Sequence, residues 1–186
     1  NELAKPSKPD AAPLSAKSIK NIHGVLHKAL KQAVLIGYLR TNPTESCILP
    51  RIIRKEMRPL EEDQVAVFLR EVQGHPHEYL YKIALFTGLR EGEVLGLGWE
   101  HIDFQTGTLT VKRQLRREQK KGGRYYFSPP KNNKSRCLTL APSVIQLFRL
   151  QKLEQNSMRM EACDAWEGHG LIFTNQTGGY LSYRTV

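Results

Sequence analysis

Segments with the composition of β-strands are confined to one part of this chain, and segments with helical patterning lie on both sides of it. β-Branched and aromatic residues concentrate at 108–115, 124–128 and 136–140, as is typical of short strands. Closely spaced strands pair in an antiparallel manner, whereas parallel strands need a long, usually helical, crossover. The order of these helical and strand segments therefore predicts an α+β fold, mostly α, with a small three-stranded antiparallel sheet. It excludes a parallel βαβ fold.

Helical periodicity explains most of the remaining sequence. From about Ser15, apolar residues recur every three or four positions, and Asn42-Pro43 is expected to end this helix. Gly88 is expected to provide a sharp turn between two later helices, because glycine adopts backbone conformations that other residues avoid. The further helices are predicted over 61–73, 78–86, 90–97 and 142–159.

Changes in composition divide the chain into four parts. Residues 1–13 are rich in Lys, Pro and Ala, and they predict a linker or a disordered end. Residues 14–48 predict a small helical piece, and the basic, proline-containing residues 49–56 predict a linker. A larger domain is expected to begin at residue 57 and to run to residue 186.

Positive charge is concentrated in two blocks. The net charge of the chain is +10, with +7 in residues 1–60, −6 in residues 61–111, +9 in residues 112–136 and zero in residues 137–186. Clustered Lys and Arg residues are typical of proteins that bind a polyanion, although a basic surface without a partner is the alternative. The pattern favours nucleic acid as the partner.

The sequence argues against several other classes of protein. It contains no run of about 18 apolar residues, so no transmembrane helix is predicted, and its polar N-terminal segment does not resemble a signal peptide. The three cysteines, Cys47, Cys137 and Cys163, are far apart and lack the spacing of a zinc site or a disulfide framework. We therefore expect a cytoplasmic protein with neither a metal site nor a membrane partner.

A glycine-rich segment at 87–103 contains the first candidate site residues. Arg90 is expected at the start of a helix, where the helix dipole disfavours a positive charge. Such an arginine either lies in solvent without consequence or is held there to bind an anion. Glu93 follows three residues later, within reach of Arg90 on the same helix face, and an ordinary surface ion pair would explain the two residues equally well.

Basic side chains cluster in two predicted hairpins. The first spans 112–124 and has a flexible Gly-Gly tip, and the second presents Lys131 and Lys134 on a turn between the last two predicted strands. Cations in such positions suit contacts with the phosphates of a duplex. The residues predicted to contact DNA are Lys112, Arg113, Arg116, Arg117, Lys120, Lys121, Arg124, Lys134 and Arg136, together with Lys17 and Lys20 of the first helix.

Several of these stretches resemble the tyrosine recombinase, or phage integrase, family. The most specific is Thr87-Gly88-Leu89-Arg90-x-Gly92-Glu93-Val94-Leu95-x-Leu97-x-Trp99-x-x-Ile102-Asp103, which is similar to the first signature box of that family. Residues 128–140 are similar to its lysine hairpin, with Asn132 where the family commonly has Thr. Residues 14–43 resemble the last part of the family's core-binding domain, and residues 57–64 resemble the start of its catalytic domain.

The resemblance implies roles for individual residues. Arg90 would bind the scissile phosphate, Glu93 would hold the site in shape, and Asp103 would be a buried acid that supports the same segment. Lys131 would protonate the leaving 5′ oxygen, with Lys134 as the alternative. In that family a tyrosine attacks the phosphate and forms a 3′-phosphotyrosyl bond without a cofactor. The implied partner is double-stranded DNA, on which the full-length protein would form a homotetramer.

The resemblance also implies that the chain is part of a longer protein. Residues 14–48 would be the C-terminal part of a helical core-binding domain, and residues 57–186 would be the N-terminal part of a truncated catalytic domain. The sequence contains no His-x-x-Arg motif, and Tyr180 and Tyr183 lie in a turn region that suits a nucleophile poorly. We therefore expect this chain alone to bind DNA without cleaving it. A non-catalytic DNA-binding module and a relative of type IB topoisomerases are the alternative interpretations.

Overall fold

A computed structural model of the chain describes residues 13–53, 56–120, 122–184 and 186. The chain divides into two compact units, Asn1–Pro59 and Leu60–Val186. Of the linker predicted at residues 1–13, only Pro13 is among the described residues. Within the part of the chain that the structure describes, no helix combines the length and the apolar character needed to cross a membrane.

The first unit contains one long helix, α1 (Ala16–Leu35). It begins where the sequence predicts, because Ser15 caps its N-terminus: the side-chain oxygen accepts the backbone N–H of Ser18 at 3.1 Å. Ile19 is buried on this helix, whereas the predicted DNA contact Lys17 is exposed and Lys20 is half-buried.

The prediction that this first helix continues to Asn42 is wrong. Gly37 adopts a φ of +82°, and the chain turns back directly after Leu35. Asn42 is buried instead, and its side-chain nitrogen donates to the carbonyl oxygen of His27 at 3.1 Å. The Asn-Pro pair therefore holds the returning segment against the helix rather than ending it.

The helices of the second unit agree in position with the sequence prediction. Their bounds are α2 (Glu62–Glu71), α3 (Glu78–Thr87), α4 (Glu91–Leu95) and α5 (Pro142–Ala162). Gly88 ends α3 with a φ of +62°, in the left-handed region that glycine adopts without strain. The predicted sharp turn between α3 and α4 is therefore confirmed.

Among the described residues, five short strands form two antiparallel sheets. Their bounds are β1 (Ile102–Asp103), β2 (Thr108–Val111), β3 (Gln114–Arg117), β4 (Tyr125–Ser128) and β5 (Arg136–Thr139). One sheet has the order β1-β2-β5, and the other consists of the pair β3-β4. The registers run from Thr108↔Thr139 to Val111↔Arg136 between β2 and β5, and from Gln114↔Ser128 to Arg117↔Tyr125 between β3 and β4.

A three-stranded antiparallel sheet is thus present, but it is not composed of the three strands that the sequence suggests. The predicted strand at 108–115 is interrupted at Lys112 and Arg113, so that its two halves pair with different partners. The returning chain leaves the sheets at residues 129–135. The prediction of a second hairpin there is wrong, because β4 and β5 are not hydrogen-bonded neighbours.

A single apolar core lies beneath the helices and sheets of the second unit. Its fully buried members include Ile83 of α3, Leu109 of β2, Leu115 of β3 and Phe148 of α5. Full burial of each such side chain stabilises the fold by about 1.5–3 kcal/mol. This core fixes the inner face of α4, which carries Glu93 of the candidate site.

Gln155 connects α5 to two other parts of the unit. Its side-chain oxygen accepts the indole N–H of Trp99 at 2.8 Å, and its side-chain nitrogen donates to the carbonyl oxygen of Leu171 at 2.9 Å. A buried amide that satisfies both its donor and its acceptor fixes the relative placement of the groups it joins. The segment that follows Arg90 in the chain is therefore held firmly against α5.

Candidate functional site

Arg90 lies at the junction between α3 and α4. Leu89 before it is buried and anchors the junction in the core, whereas 61% of the Arg90 side chain is exposed. The two side chains differ in burial because the chain turns at Gly88, and α4 then starts directly after Arg90. The arginine thus projects from a rigid base towards solvent.

Two glycines bring α4 into close contact with β3. A Cβ atom on Gly96 would lie 2.7 Å from the backbone nitrogen of Leu115, and one on Gly92 would lie 3.1 Å from the carbonyl oxygen of Leu115. A real Cβ contact of 2.7 Å is sterically excluded, so position 96 requires glycine. This role is not among the predictions made from the sequence, although the spacing of the two glycines, four residues apart, is the signal for it.

Glu93 is the centre of the site. Its side chain is only 1% exposed, and its two oxygens accept four hydrogen bonds. Arg90 supplies its backbone N–H at 3.0 Å and its Nη1 at 3.2 Å. Arg136 of β5 supplies Nη1 at 2.9 Å and Nη2 at 2.7 Å, each to a different oxygen. One buried carboxylate thus joins two arginines that are distant in sequence.

The electrostatics of this triad are dominated by Arg136. Its hydrogen bonds lower the pKa of Glu93 to about 2; the backbone N–H and the side chain of Arg90 act in the same direction, against the opposing effect of burial. The same pair raises the pKa of Arg136. Glu93 is therefore ionised at neutral pH, and the three side chains together carry a net charge of one positive unit.

Arg136, which the sequence predicts to contact a DNA phosphate, binds Glu93 in this structure. Both terminal nitrogens of its guanidinium point at Glu93, and 36% of the side chain is exposed. The sequence could not indicate this pairing, because the strands β1 to β4 lie between Glu93 and Arg136 along the chain. Its position as the first residue of β5, opposite Val111, directs its side chain to α4.

Lys131 and Lys134 lie in the unpaired connection between β4 and β5. Both side chains are exposed. The connection is anchored at its start, where Gln114 donates its side-chain N–H to the carbonyl oxygen of Pro129 at 2.6 Å. Asn133 turns the chain with a φ of +56°. In the described part of the chain, neither lysine forms a salt bridge with the Glu93 triad.

The predicted first hairpin is present as the antiparallel pair of β3 and β4. Its cations fall into two groups. The first group comprises Lys112, Arg116, Lys120 and Arg124, which are exposed; among them Lys120 pairs with Glu118 at 3.0 Å. Lys121, also predicted to contact DNA, lies outside the described residues.

Arg113 and Arg117 bind mainly to the protein itself. Arg113 donates from Nε to the carbonyl oxygen of Gly96 at 3.0 Å, and its guanidinium lies 4.1 Å from the ring centre of Phe127. Arg117 donates from Nε to the carbonyl oxygen of Gly123 at 2.9 Å. These two arginines stabilise the hairpin and its contact with α4, which the sequence analysis did not separate from phosphate binding.

The expectation that Asp103 is a buried supporting acid is wrong. Asp103 is exposed and accepts the backbone N–H groups of Gln105 and Thr106, as in an ordinary turn. Two residues before it, His101 is buried, and its Nδ1 accepts the backbone N–H of Gly98 at 3.0 Å. Burial lowers the pKa of His101, so the neutral imidazole supports the turn.

The two late tyrosines are engaged by the fold. The hydroxyl group of Tyr183 donates to the carbonyl oxygen of Leu115, and burial raises the pKa of Tyr183. Tyr180 stacks between His169 and Tyr125, with ring centres 4.5 and 5.2 Å away. Among the described residues, no cluster of three or more His, Cys, Asp or Glu side chains has a geometry that would hold a metal ion.

The segment that carries this geometry also matches a known protein family. The sequence model of the phage integrase family matches residues 55–186. The chain belongs to the phage integrase family. The predicted family is therefore confirmed, and the match includes the whole of the Glu93 triad.

Two curated relatives match most of this integrase-family chain. A protein of Caldanaerobacter subterraneus subsp. tengcongensis, named tyrosine recombinase XerC-like, is 28% identical over 183 residues, which cover 90% of this chain and 47% of the relative. An integrase of Streptomyces ambofaciens is 28% identical over 184 residues, which cover 95% of this chain and 46% of the relative. The chain spans about half the length of the curated relatives it matches.

The fold also has a solved counterpart within the phage integrase family. The Tn1549 transposon integrase, in complex with transposon right end DNA, matches with a TM-score of 0.74 and 25% identity. The match covers 91% of this chain and 54% of that protein. The predicted α+β fold class, with mostly helices and small antiparallel sheets, is confirmed.

Proposed function

We propose that this chain supplies part of the active site of a site-specific recombinase, which cleaves and rejoins DNA strands through a phosphotyrosyl intermediate. The observation that carries the proposal is the triad of Arg90, Glu93 and Arg136. A buried carboxylate holds Arg90 directly after the turn at Gly88, while most of the Arg90 side chain remains exposed to solvent. A fixed, exposed arginine is suited to a phosphate, which it recognises through paired N–H donors.

The proposed chemistry assigns each group one task. Arg90 neutralises charge on a non-bridging phosphate oxygen, which lowers the barrier electrostatically. A tyrosine hydroxyl releases its proton to solvent as its oxygen forms the bond to phosphorus, and the bond from phosphorus to the 5′ oxygen breaks. Lys131 donates a proton to that 5′ oxygen as general acid. The phosphotyrosyl bond preserves the energy of the broken bond, so no cofactor is required for rejoining.

We further propose that the 186-residue chain by itself binds double-stranded DNA without cleaving it. The hydroxyl of Tyr183 is already bound to Leu115, and Tyr180 is stacked between two rings. The hydrogen bond engages the Tyr183 hydroxyl within the fold, and the ring contacts hold the Tyr180 side chain in place. Residues 14–48 act in this proposal as part of a core-binding domain and residues 57–186 as part of the catalytic domain, and the complete recombinase forms a homotetramer on DNA.

The binding part of the proposal is tested with the chain itself. Fluorescence anisotropy with a labelled duplex measures the affinity of the unchanged chain and of Arg90→Ala. Loss of one arginine–phosphate contact should weaken binding about tenfold. Arg70→Ala is the matched control, because Arg70 is an arginine of similar exposure on α2, in the acidic part of the sequence. Equal affinities for all three proteins would contradict the proposal.

The chemical part is tested with the complete reading frame and a nicked suicide substrate that traps the covalent intermediate. Lys131→Ala should slow formation of the adduct on an ordinary phosphodiester. On a substrate with sulfur in place of the 5′ oxygen the variant should react at close to the normal rate, because a thiolate leaves without protonation. The same slowing on both substrates would remove Lys131 from the role of general acid. An adduct formed by the 186-residue chain alone would overturn its assignment as a binding-only chain.

A further inference from the structure

Arg136 binds Glu93 more tightly than Arg90 does. It approaches with two nitrogens at 2.9 and 2.7 Å, whereas Arg90 offers a single side-chain nitrogen at 3.2 Å. Paired arginine–carboxylate contacts of the first kind are among the strongest hydrogen bonds in proteins. The less exposed of the two arginines thus carries most of the compensation for the buried carboxylate.

This division decides what Arg90 is free to do. A buried carboxylate without a partner is strongly unfavourable, so Glu93 recruits whichever cation lies within reach. Arg90 is three residues away on the same short helix and is the nearest substitute. If Arg136 were absent, the Arg90 guanidinium would be drawn onto Glu93 in a paired geometry and away from solvent.

We propose that Arg136 is a positioning residue: it neutralises Glu93 so that the guanidinium of Arg90 remains available to a DNA phosphate. The inference rests on the proposed function of Arg90. It replaces the expectation that Arg136 contacts phosphate itself, because the forked end of its guanidinium faces the carboxylate. Arg136 therefore contributes to DNA binding through Glu93 and Arg90.

A double-mutant cycle between Arg136 and Arg90 separates this role from direct contact. In the unchanged chain, Arg136→Met should weaken binding to a labelled duplex about tenfold, the effect of losing one charge-assisted contact. In the Arg90→Ala background, the same change should weaken binding by less than about twofold, because the contact it supports is already lost. Equal losses in both backgrounds would overturn the proposal.

A second cycle tests the connection through Glu93. With Glu93→Gln there is no buried charge to neutralise, so adding Arg136→Met should change affinity by less than about twofold. If Arg136 touched phosphate directly, its substitution would reduce DNA affinity by the same factor with or without Glu93. Arg116→Met provides the comparison, because Arg116 is an exposed cation of β3. This substitution should reduce DNA affinity by the same factor in every background.

A variant that lost its fold would also bind DNA more weakly, so the fold of each variant is checked independently. The Glu93→Gln cycle contains no unpaired buried carboxylate, and circular dichroism verifies the fold of each variant. Arg136→Lys keeps the charge with one donor group and should bind between the unchanged chain and Arg136→Met. If Arg90→Ala leaves affinity unchanged, the proposed function itself fails; if it weakens binding and the Arg136 effects are additive, only the positioning role fails.

Discussion

At the scale of single residues, the site depends on one carboxylate that solvent does not reach. Glu93 accepts four hydrogen bonds from two arginines, and none of its polar atoms is left without a partner. Such a network rigidifies what it joins when every member is satisfied, and it is costly when one member is lost. The fixed position of Arg90 therefore depends on the ionised state of Glu93.

The stability of the chain should depend on the titration of Glu93. Its pKa in the fold is about 2, below its ordinary value of 4.5. A lowered pKa contributes stability above pH 4.5 that is lost as the pH falls towards 2, and for this shift the contribution is roughly 3 kcal/mol. Urea unfolding over this range should show the loss in the unchanged chain and a flatter profile in Glu93→Gln. Glu91→Gln, on an exposed carboxylate of the same helix, should keep the original profile; a Glu93→Gln profile as steep as the original would contradict the assignment.

Glycine at position 96 should be required for the docking of α4 on β3. In Gly96→Ala the new methyl group meets the backbone of Leu115 at 2.7 Å, so the helix must move away. We expect a loss of about 1–3 kcal/mol, as for other overpacked positions, together with weaker DNA binding. Gly168→Ala is the control, because a Cβ there has no neighbour within 4 Å and surface changes of this kind stay within about 0.5 kcal/mol. Thermal unfolding of both variants measures the difference, and equal midpoints would count against close docking.

At the scale of elements, the hairpin of β3 and β4 divides its cations between two uses. Arg113 and Arg117 lie over the rings of Phe127 and Tyr125, with distances to the ring centres of 4.1 and 5.3 Å. Arg116 and Arg124 are exposed. The hairpin is therefore braced by its own arginines while others remain available to a polyanion.

The exposed pair should carry a measurable share of DNA binding. In Arg116→Gln/Arg124→Gln, the slope of log affinity against log salt concentration should fall in magnitude by about 2, since each phosphate contact contributes about 0.9. Arg149→Gln, an exposed change on α5 outside both basic blocks, should leave the slope unchanged. Anisotropy titrations at several salt concentrations give the slopes; an unchanged slope in the double variant would exclude the hairpin from the interface.

The individual elements could be predicted from sequence, whereas their pairing could not. Local patterning placed the helices, the turn at Gly88 and the interval that contains the strands. It could not show that β2 and β3 pair with different partners, because strand composition contains no information about register. For the same reason the sequence predicts a phosphate contact for Arg136 and gives no sign of its contact with Glu93. Its partner Glu93 lies 43 residues away, and the two residues meet only in the folded chain.

At the scale of the whole molecule, charge is segregated along the sequence. Residues 112–136 carry a net charge of +9, and residues 61–111 carry −6. A chain with such a field meets a duplex mainly through electrostatic attraction. Binding to DNA is therefore expected to respond more strongly to ionic strength than to base sequence in this chain.

The salt dependence of the unchanged chain should be steep. Seven described cations of the basic block are exposed. Apart from Arg117, whose Nε binds the carbonyl oxygen of Gly123, they are Lys112, Arg116, Lys120, Arg124, Lys131 and Lys134. If each of these six meets one phosphate, log affinity should fall with log salt concentration with a slope of about −5. Anisotropy from low to moderate salt measures this slope. A slope near zero would mean that the basic block does not face the duplex.

The break between the two strand ladders has a consequence for how this protein can vary in length. Between the ladders, the outgoing chain has only Lys112 and Arg113, whereas the returning chain runs through residues 129–135. Each ladder sets its own register, so residues added to or removed from 129–135 leave every strand pair intact. Insertions and deletions among homologues should therefore concentrate in this segment. Each such change would also move Lys131, which lies in this segment. Variation in the length of the segment should therefore alter the position of the proposed general acid.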